Sequence, residues 1–253
     1  MSQREIKRFS GGSCPPERLM RGSVLLGNAG ISRLMNSTVF VIGLGGVGSW
    51  AAESLARSGV GKLYLMDFDK IETSNINRQI QANPETVGRS KANELAVKLN
   101  VFQNLDTVVV DNFIDGDFLE KLGIRPDYIV EAIDIMNAKC SILNWSVKNK
   151  IPVVSSMGSA GKISPWEIRA GDLSRVQVCP MGRDVRRILR KSYDFPISGN
   201  FGINAVWSME RPVASTDPSI KGSLVQVTMA FGAALSAFAI RDLALPEDFE
   251  KDI

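Results

Sequence analysis

Short, almost wholly apolar runs recur through the first 155 residues, and a helix-like segment follows most of them. The runs lie near 38–42, 62–66, 106–110, 127–131 and 151–155. Val39-Phe40-Val41-Ile42 and Leu63-Tyr64-Leu65-Met66 show no apolar–polar alternation, which marks strands covered on both faces. Strands that alternate with helices build parallel βαβ units. The expected fold is therefore α/β, a doubly wound, mainly parallel sheet with helices on both faces and a C-terminal elaboration. Beyond residue 155 the pattern loosens. Lys162–Arg169 reads as a strand that Pro165 confines to an edge or a bulge, and Ile203–Trp207 as another. Pro212–Gly222, with two prolines and several small polar residues, reads as a mobile surface loop. One domain over 1–253 is expected, with a core at about 20–160, a helix at about 180–191 and a C-terminal helix at about 224–242.

Directly after the first strand comes Gly43-Leu44-Gly45-Gly46-Val47-Gly48. Glycines here permit a tight strand-to-helix turn and let backbone N–H groups approach a phosphate, while the following helix turns its positive end toward that anion. Such a turn also serves helix–strand packing, but its place between a strand and a helix favours a nucleotide and makes the fold Rossmann-like. Asp67 closes the second strand, where a carboxylate accepts hydrogen bonds from ribose hydroxyls.

The polar segment downstream separates two nucleotide chemistries. A nicotinamide-dependent oxidoreductase needs only the ribose carboxylate. This chain adds Asp69 and then Ser74-Asn75-Ile76-Asn77-Arg78-Gln79. Arg78 is suited to fork onto phosphate oxygens, with the amides orienting them. Lys91, near the start of a helix running from about Ser90 to Leu99, is placed to hold a phosphate. An ATP-using adenylating enzyme is the better reading. Asp134 lies just past the strand at 127–131. Two roles are open to it from spacing alone: a ligand for Mg²⁺ against the triphosphate, or the N-cap of a helix from about Met136 to Lys148.

Composition narrows the picture. With 253 residues the chain is long enough for a large core. The net charge of +3 is small, so nucleic-acid binding needs a local patch. Arg183, Arg186, Arg187, Arg190 and Lys191 supply one, at i, i+3, i+4, i+7 and i+8 on one helix face, with only Asp184 to offset them. The chain has no histidine, which excludes histidine general-base catalysis and histidine-bearing metal sites. Its three cysteines, Cys14, Cys140 and Cys179, form no CxxC pair, so a reducing, cytoplasmic setting is expected. Met1–Phe9 is polar and charged, without the apolar run of a secretory leader. The apolar stretch Leu224–Ile240 falls short of the ~20 residues that span a bilayer. It reads as a buried helix, with peripheral membrane contact left open.

Together, the Gly43–Gly48 turn, Asp67-x-Asp69, Ser74–Gln79, Lys91 and Asp134 resemble the ubiquitin-activating-type superfamily of adenylating enzymes over roughly residues 20–160. Gly45–Glu53, Asn77–Ile80, Glu131–Asp134 and Asn149–Val154 are more specifically similar to its tRNA threonylcarbamoyladenosine dehydratase branch. That resemblance implies a homodimer that uses ATP and Mg²⁺. It adenylates a carboxylate on a modified tRNA adenosine, and a urea nitrogen then closes a ring and expels AMP. It implies phosphate neutralisation by Arg78, Lys91 and a Mg²⁺ on Asp134, ribose binding by Asp67, and an arginine delivered from the partner's N-terminal segment. Arg21 is the nearest match for that arginine, with Arg8 and Arg18 as rivals beside an insertion-like Gly11–Glu17. The alternative within the superfamily is an activator of a ubiquitin-like or sulfur-carrier protein, with a sulfur-relay or carrier-protein partner. In that case Cys179, among nearby arginines, is the expected thiol. The absence of cysteine pairs for a Cys₄ zinc favours the tRNA branch.

Overall fold

Five of the seven strands in the computed structural model fall where the apolar runs put them, to within two residues. It describes residues 15–102, 105–213, 217 and 220–245; Arg8, Cys14 and part of the Pro212–Gly222 loop lie outside the described residues. Helix α1 (Met20–Met35) leads into β1 (Thr38–Ile42), α2 (Gly48–Ser58) and β2 (Lys62–Met66). Then come α3 (Lys91–Leu99), β3 (Asp106–Val110), α4 (Gly116–Leu122) and β4 (Tyr128–Glu131). The chain continues through α5 (Met136–Lys148), β5 (Val153–Ser156), β6 (Ile168–Asp172), α6 (Pro180–Tyr193), β7 (Asn204–Ser208) and α7 (Val225–Ala244).

The strands order as β3-β2-β1-β4-β5-β7-β6, all parallel except β6, which runs antiparallel to β7 at the edge. After β3 the chain returns to the other side of β1, so the strand order reverses between β1 and β4. In open α/β sheets that reversal opens a crevice at the carboxyl ends of the strands. Alternate residues of each central strand serve opposite layers. Val39, Val41, Leu63 and Leu65 pack with α1, α2, α3 and α7, while Phe40, Ile42, Tyr64 and Met66 pack with α4, α5 and α6. Burial on both faces explains the unbroken apolar runs.

Three local features depart from the pattern. The strand expected at Lys162–Arg169 forms later, at β6, because Pro165 opens a one-turn 3₁₀ helix over Pro165–Glu167. Helix α4 has only seven residues, too few to show a period; Asp115 caps it by accepting from Phe118 N at 2.8 Å, and left-handed Gly123 ends it. Helix α1 breaks at Gly27, whose φ is 70°. The C-terminal helix α7 lies against α1, α2 and the sheet, with Val227, Phe231, Leu235 and Ala239 buried. The apolar stretch Leu224–Ile240 thus forms a helix with one face in the core.

Under the crevice sits a charge pair that the apolar reading of β4 does not suggest. Lys139 of α5 and Glu131 at the end of β4 are both fully buried, 2.5 Å apart. Lys139 Nζ also donates to Ser155 Oγ (3.2 Å) and the Ser156 carbonyl (3.0 Å), and Ser155 Oγ donates to Glu131. The remaining carboxylate oxygen accepts from Ile133 N at 2.8 Å, which fixes the backbone leaving β4. Removing one member of a buried pair leaves the other uncompensated. Lys139→Met is therefore expected to lower unfolding free energy by about 3–5 kcal/mol, and Glu131→Gln added to it to restore a large part. Urea denaturation of the two variants checks this; equal losses in both would mean that the pair is not what holds the site.

Candidate functional site

A cleft of ≈ 560 Å³ opens over the carboxyl ends of β1, β2, β4 and β5. Its floor is the glycine turn. Gly43 has φ +88°, and a Cβ there would stand 2.8 Å from the Ala132 backbone; a Cβ on Gly48 would stand 1.8 Å from the Gly43 carbonyl oxygen. Only glycine fits either position. Helix α2 begins at Gly48 behind Val47, with no side chain among the described residues capping it. Its amino end is left for an anion in the cleft.

The wall beside β2 is acidic and basic at once. Asp67 Oδ2 accepts from Leu44 N at 2.6 Å, and Oδ1 from Asp69 N at 2.8 Å, so the carboxylate braces the glycine turn while facing the cleft. Burial pushes the Asp67 carboxyl above its ordinary range, against the pull of Lys91 and the two backbone donors. Lys91, at the first position of α3, is buried, and its Nζ lies 2.7 Å from the exposed Asp69. Its backbone N–H donates to the Asp69 carbonyl at 3.0 Å, tying the start of α3 to the loop after β2.

The Ser74–Gln79 segment divides its labour. Asn75, Arg78 and Gln79 line the cleft; Ser74 and Asn77 do not. Asn77 Nδ2 instead donates to the Ser223 carbonyl at 2.9 Å, and Asn75 Oδ1 accepts from Glu72 N at 3.1 Å. One arm of the Arg78 guanidinium donates to the Ser74 carbonyl (2.6 Å) and to Asn77 Oδ1 (2.9 Å), which leaves the rest of the fork for an anion above Gly46. The backbone is pinned from behind, where Trp50 Nε1 donates to the Arg78 carbonyl at 2.9 Å.

Asp134 stands exposed on the rim, 3.6 Å from Lys221. It does not cap α5: the N-cap is Ile135, with no side-chain bond. Of the two roles open from spacing, capping is thereby excluded. Among the described residues no cluster of three acidic, cysteine or histidine side chains is arranged to hold a metal by itself. Gly43, Gly45, Gly46, Asp67, Asp69, Asn75, Arg78, Lys91 and Asp134 meet in the cleft, while Gly48 acts from beneath it.

Several expected residues lie elsewhere. Arg21 is on the exposed side of α1 and reaches no part of this cleft. Cys179 is buried, with its sulfur 3.7 Å from where a Cβ of Gly158 would stand. The five cations of α6 do not act alike. Arg186 donates to the carbonyls of Leu173 (3.1 Å) and Val176 (2.8 Å), and Arg190 to those of Pro196 (3.1 Å) and Ile197 (2.8 Å). Arg183, Arg187 and Lys191 stay exposed, the two arginines beside Asp184. Helical period places all five on one side, but only contacts distinguish a backbone clamp from a free charge. An aromatic pair, Phe68 and Phe113 (ring centres 5.7 Å apart), also walls the cleft. Its members follow β2 and β3 by two and three residues, a position that alone is a usable signal.

Residues 17–194 match the ThiF family. The chain is 35% identical over 213 residues to the tRNA threonylcarbamoyladenosine dehydratase of Haemophilus influenzae, covering 81% of this chain and 80% of that one. It is 34% identical over 195 residues to the Bacillus subtilis protein of the same name, covering 76% and 75%. The Escherichia coli tRNA N6-threonylcarbamoyladenosine dehydratase solved in complex with ATP superposes with a TM-score of 0.84 at 31% identity, covering 90% of this chain and 93% of that one.

The cleft's electrostatics give a test in the absence of any second substrate. An ionised Asp67 is the better acceptor for a ribose hydroxyl. Nucleotide affinity is therefore expected to fall as pH is lowered through its raised pKa, beginning above the ordinary aspartate value of 3.8. Asp67→Asn is expected to bind ATP roughly ten-fold more weakly at neutral pH, one charge-assisted hydrogen bond being worth about 1.5–3 kcal/mol, and to lose that acid dependence. Calorimetric titration with ATP across pH reads both.

Proposed function

We propose that this chain, which belongs to the ThiF family, is an ATP-dependent tRNA threonylcarbamoyladenosine dehydratase, acting in the cytoplasm where its tRNA is found. One observation carries the reading: the glycine turn, Asp67, Arg78, Lys91 and Asp134 converge on one cleft in a chain similar to dehydratases along about four-fifths of its length. The substrate carboxylate attacks the α-phosphorus of ATP and displaces pyrophosphate. A urea nitrogen of the same substrate then attacks the acyl carbon, a ring closes, and AMP leaves. The protein contributes position and charge. Asp67 holds the ribose, the turn and the amino end of α2 cradle phosphate oxygens, and Arg78 and Lys91 offset the charge that builds on the leaving pyrophosphate. Lys91 exchanges Asp69 for a phosphate as the nucleotide enters.

Mg²⁺ fits this cleft as a metal held mainly by the nucleotide, because it favours one or two carboxylates plus phosphate oxygens and Asp134 is an exposed carboxylate on the rim. Asp134 would hold it, and it would neutralise triphosphate charge. A homodimer completes the site. Val24 and Leu25 beside Arg21 are 84% and 81% exposed, an apolar face that a second copy covers while bringing Arg21 to its neighbour's nucleotide.

The tRNA is guided by α6, whose first turn reaches the cleft at Met181 and whose exposed Arg183, Arg187 and Lys191 run outward from it. A carrier-protein activator that passes its acyl group to a thiol is the weaker reading, since Cys179 is buried.

Two measurements test the proposal. ATP, Mg²⁺ and tRNA bearing threonylcarbamoyladenosine are expected to yield pyrophosphate, AMP and a nucleoside lighter by one water. ATP binding without any tRNA-dependent turnover would move carrier-protein adenylation to first place. Replacing Arg183, Arg187 and Lys191 with Glu is expected to weaken tRNA binding and reduce its salt slope by about 0.7–0.9 for each phosphate that these cations neutralise in the native complex. Unchanged binding and slope would place the tRNA face elsewhere. Arg186→Glu is expected to reduce thermal stability instead, because it removes the clamp on Leu173 and Val176.

A further inference from the structure

We infer that Gln79 is a substrate-contacting residue, its side-chain oxygen accepting the hydrogen of the urea nitrogen that closes the ring. The inference rests on the dehydratase reading and concerns the step after adenylation. Gln79 is only 5% exposed, lines the cleft, and its Oε1 has no hydrogen-bond partner among the described residues. Its Nε2 lies 3.9 Å from where a Cβ of Gly45 would stand, which puts the carboxamide beside the phosphate-binding turn. A buried acceptor left unpaired costs about 1–3 kcal/mol, and sites that break a local rule in this way are enriched in function. Gln81 shares the orphan oxygen, but its Nε2 is fixed to the Leu44 carbonyl at 2.9 Å and it does not line the cleft.

The missing partner must be a donor. Phosphate oxygens accept only. The donors of ATP are its ribose hydroxyls and adenine amino group, and the ribose belongs with Asp67 on the wall at β2. At the turn, the group that brings an N–H is the urea of the substrate whose carboxylate has been joined to the α-phosphate. In ring closure the nitrogen's electron pair forms the N–C bond and the acyl C–O bond breaks with its pair going to AMP. The N–H proton is lost to water. An oxygen already accepting that N–H orients the lone pair toward the acyl carbon and stabilises the positive charge that develops on nitrogen.

Gln79→Met, similar in shape and without a carboxamide, is the test, read on purified protein with ATP, Mg²⁺ and the modified tRNA. Its melting temperature is expected to equal or exceed that of the native chain, because an unpaired buried group is removed. Pyrophosphate release should stay within about two-fold while the cyclised nucleoside forms at least about ten-fold more slowly, so that AMP exceeds product as water intercepts the adenylate. Gln79→Glu, which keeps an acceptor, should return the ratio of product to AMP toward the native value. Pyrophosphate and product falling in equal proportion would make Gln79 a phosphate ligand and overturn the inference, as would unchanged coupling in Gln79→Met. If the native protein dehydrates no tRNA, the dehydratase reading falls and this inference with it; if it does and the variant stays coupled, only this inference falls.

Discussion

Backbone presses on backbone at the head of β1, and the rest of the site is arranged around that contact. The Gly43 turn lies so close to Ala132 that a methyl group would be 2.8 Å from its carbonyl carbon, and Gly48 packs back onto Gly43. On the other side α7 closes in, where a Cβ on Gly232 would stand 2.7 Å from the Val47 carbonyl oxygen. The turn is thus held by β4 and α7 together, and neither can retreat without opening the core layer that contains Val41, Val47 and Phe231. Close-packed interiors transmit such constraints with little slack. The Glu131–Lys139 pair belongs to the same arrangement. It fixes the chain leaving β4 from below, so Ala132 presses on Gly43 from a set position and Asp134 emerges on the rim.

Arg78 and Lys91 line one cleft and must be held apart within it. Two cations on one rim repel each other and invite collapse onto the nearest carboxylate. Lys91 does rest on Asp69, and one arm of Arg78 rests on Ser74 and Asn77. Both contacts are partly solvated, so exchanging them for phosphate oxygens costs little, whereas the contacts that place the two residues are backbone bonds from behind. Asp67 follows the same logic. Its hydrogen bonds to Leu44 N and Asp69 N hold the turn in register whether or not a ribose is present, and burial raises its pKa without removing those donors.

The fold was legible wherever one face or both faces of an element are buried by neighbours of the same kind. The runs at β1 and β2 are apolar because two helical layers cover them, and the polar Thr38 and Lys62 stand only at their first, half-buried positions. Legibility failed where local chemistry outweighs period. Pro165 shifts the edge strand by starting a 3₁₀ turn, and α4, set between a cap and a left-handed glycine, is too short for its apolar face to show a period. Within the site, residues whose chemistry is set by type and by strand end, such as Asp67 and the glycines, were readable. Ser74 and Asn77 share the motif but turn away to build the loop, because hydrogen bonds to Glu72 and to the Ser223 carbonyl engage their side chains. The Glu131–Lys139 pair was hidden because the two residues are eight positions apart on different elements, and only the fold brings them together.

Helix α6 shows where a periodicity argument must stop. Five cations at helical spacing look like one electrostatic surface, yet a guanidinium has five donors, and the backbone carbonyls of neighbouring loops compete with any phosphate for them. The loop before α6 has such carbonyls at Leu173 and Val176, and the loop after it at Pro196 and Ile197. Arg186 and Arg190, spaced one turn apart, commit part of their donors to closing both loops onto the helix, and Arg190 also lies over the Phe201 ring at 5.2 Å. The charge remains, and still contributes to the long-range field. What is reduced is directional bonding, so Arg183, Arg187 and Lys191 are the cations of this face that no backbone carbonyl clamps. A basic stripe therefore sets the field around the helix, and the carbonyls around it set which of its donors remain available for direct bonds.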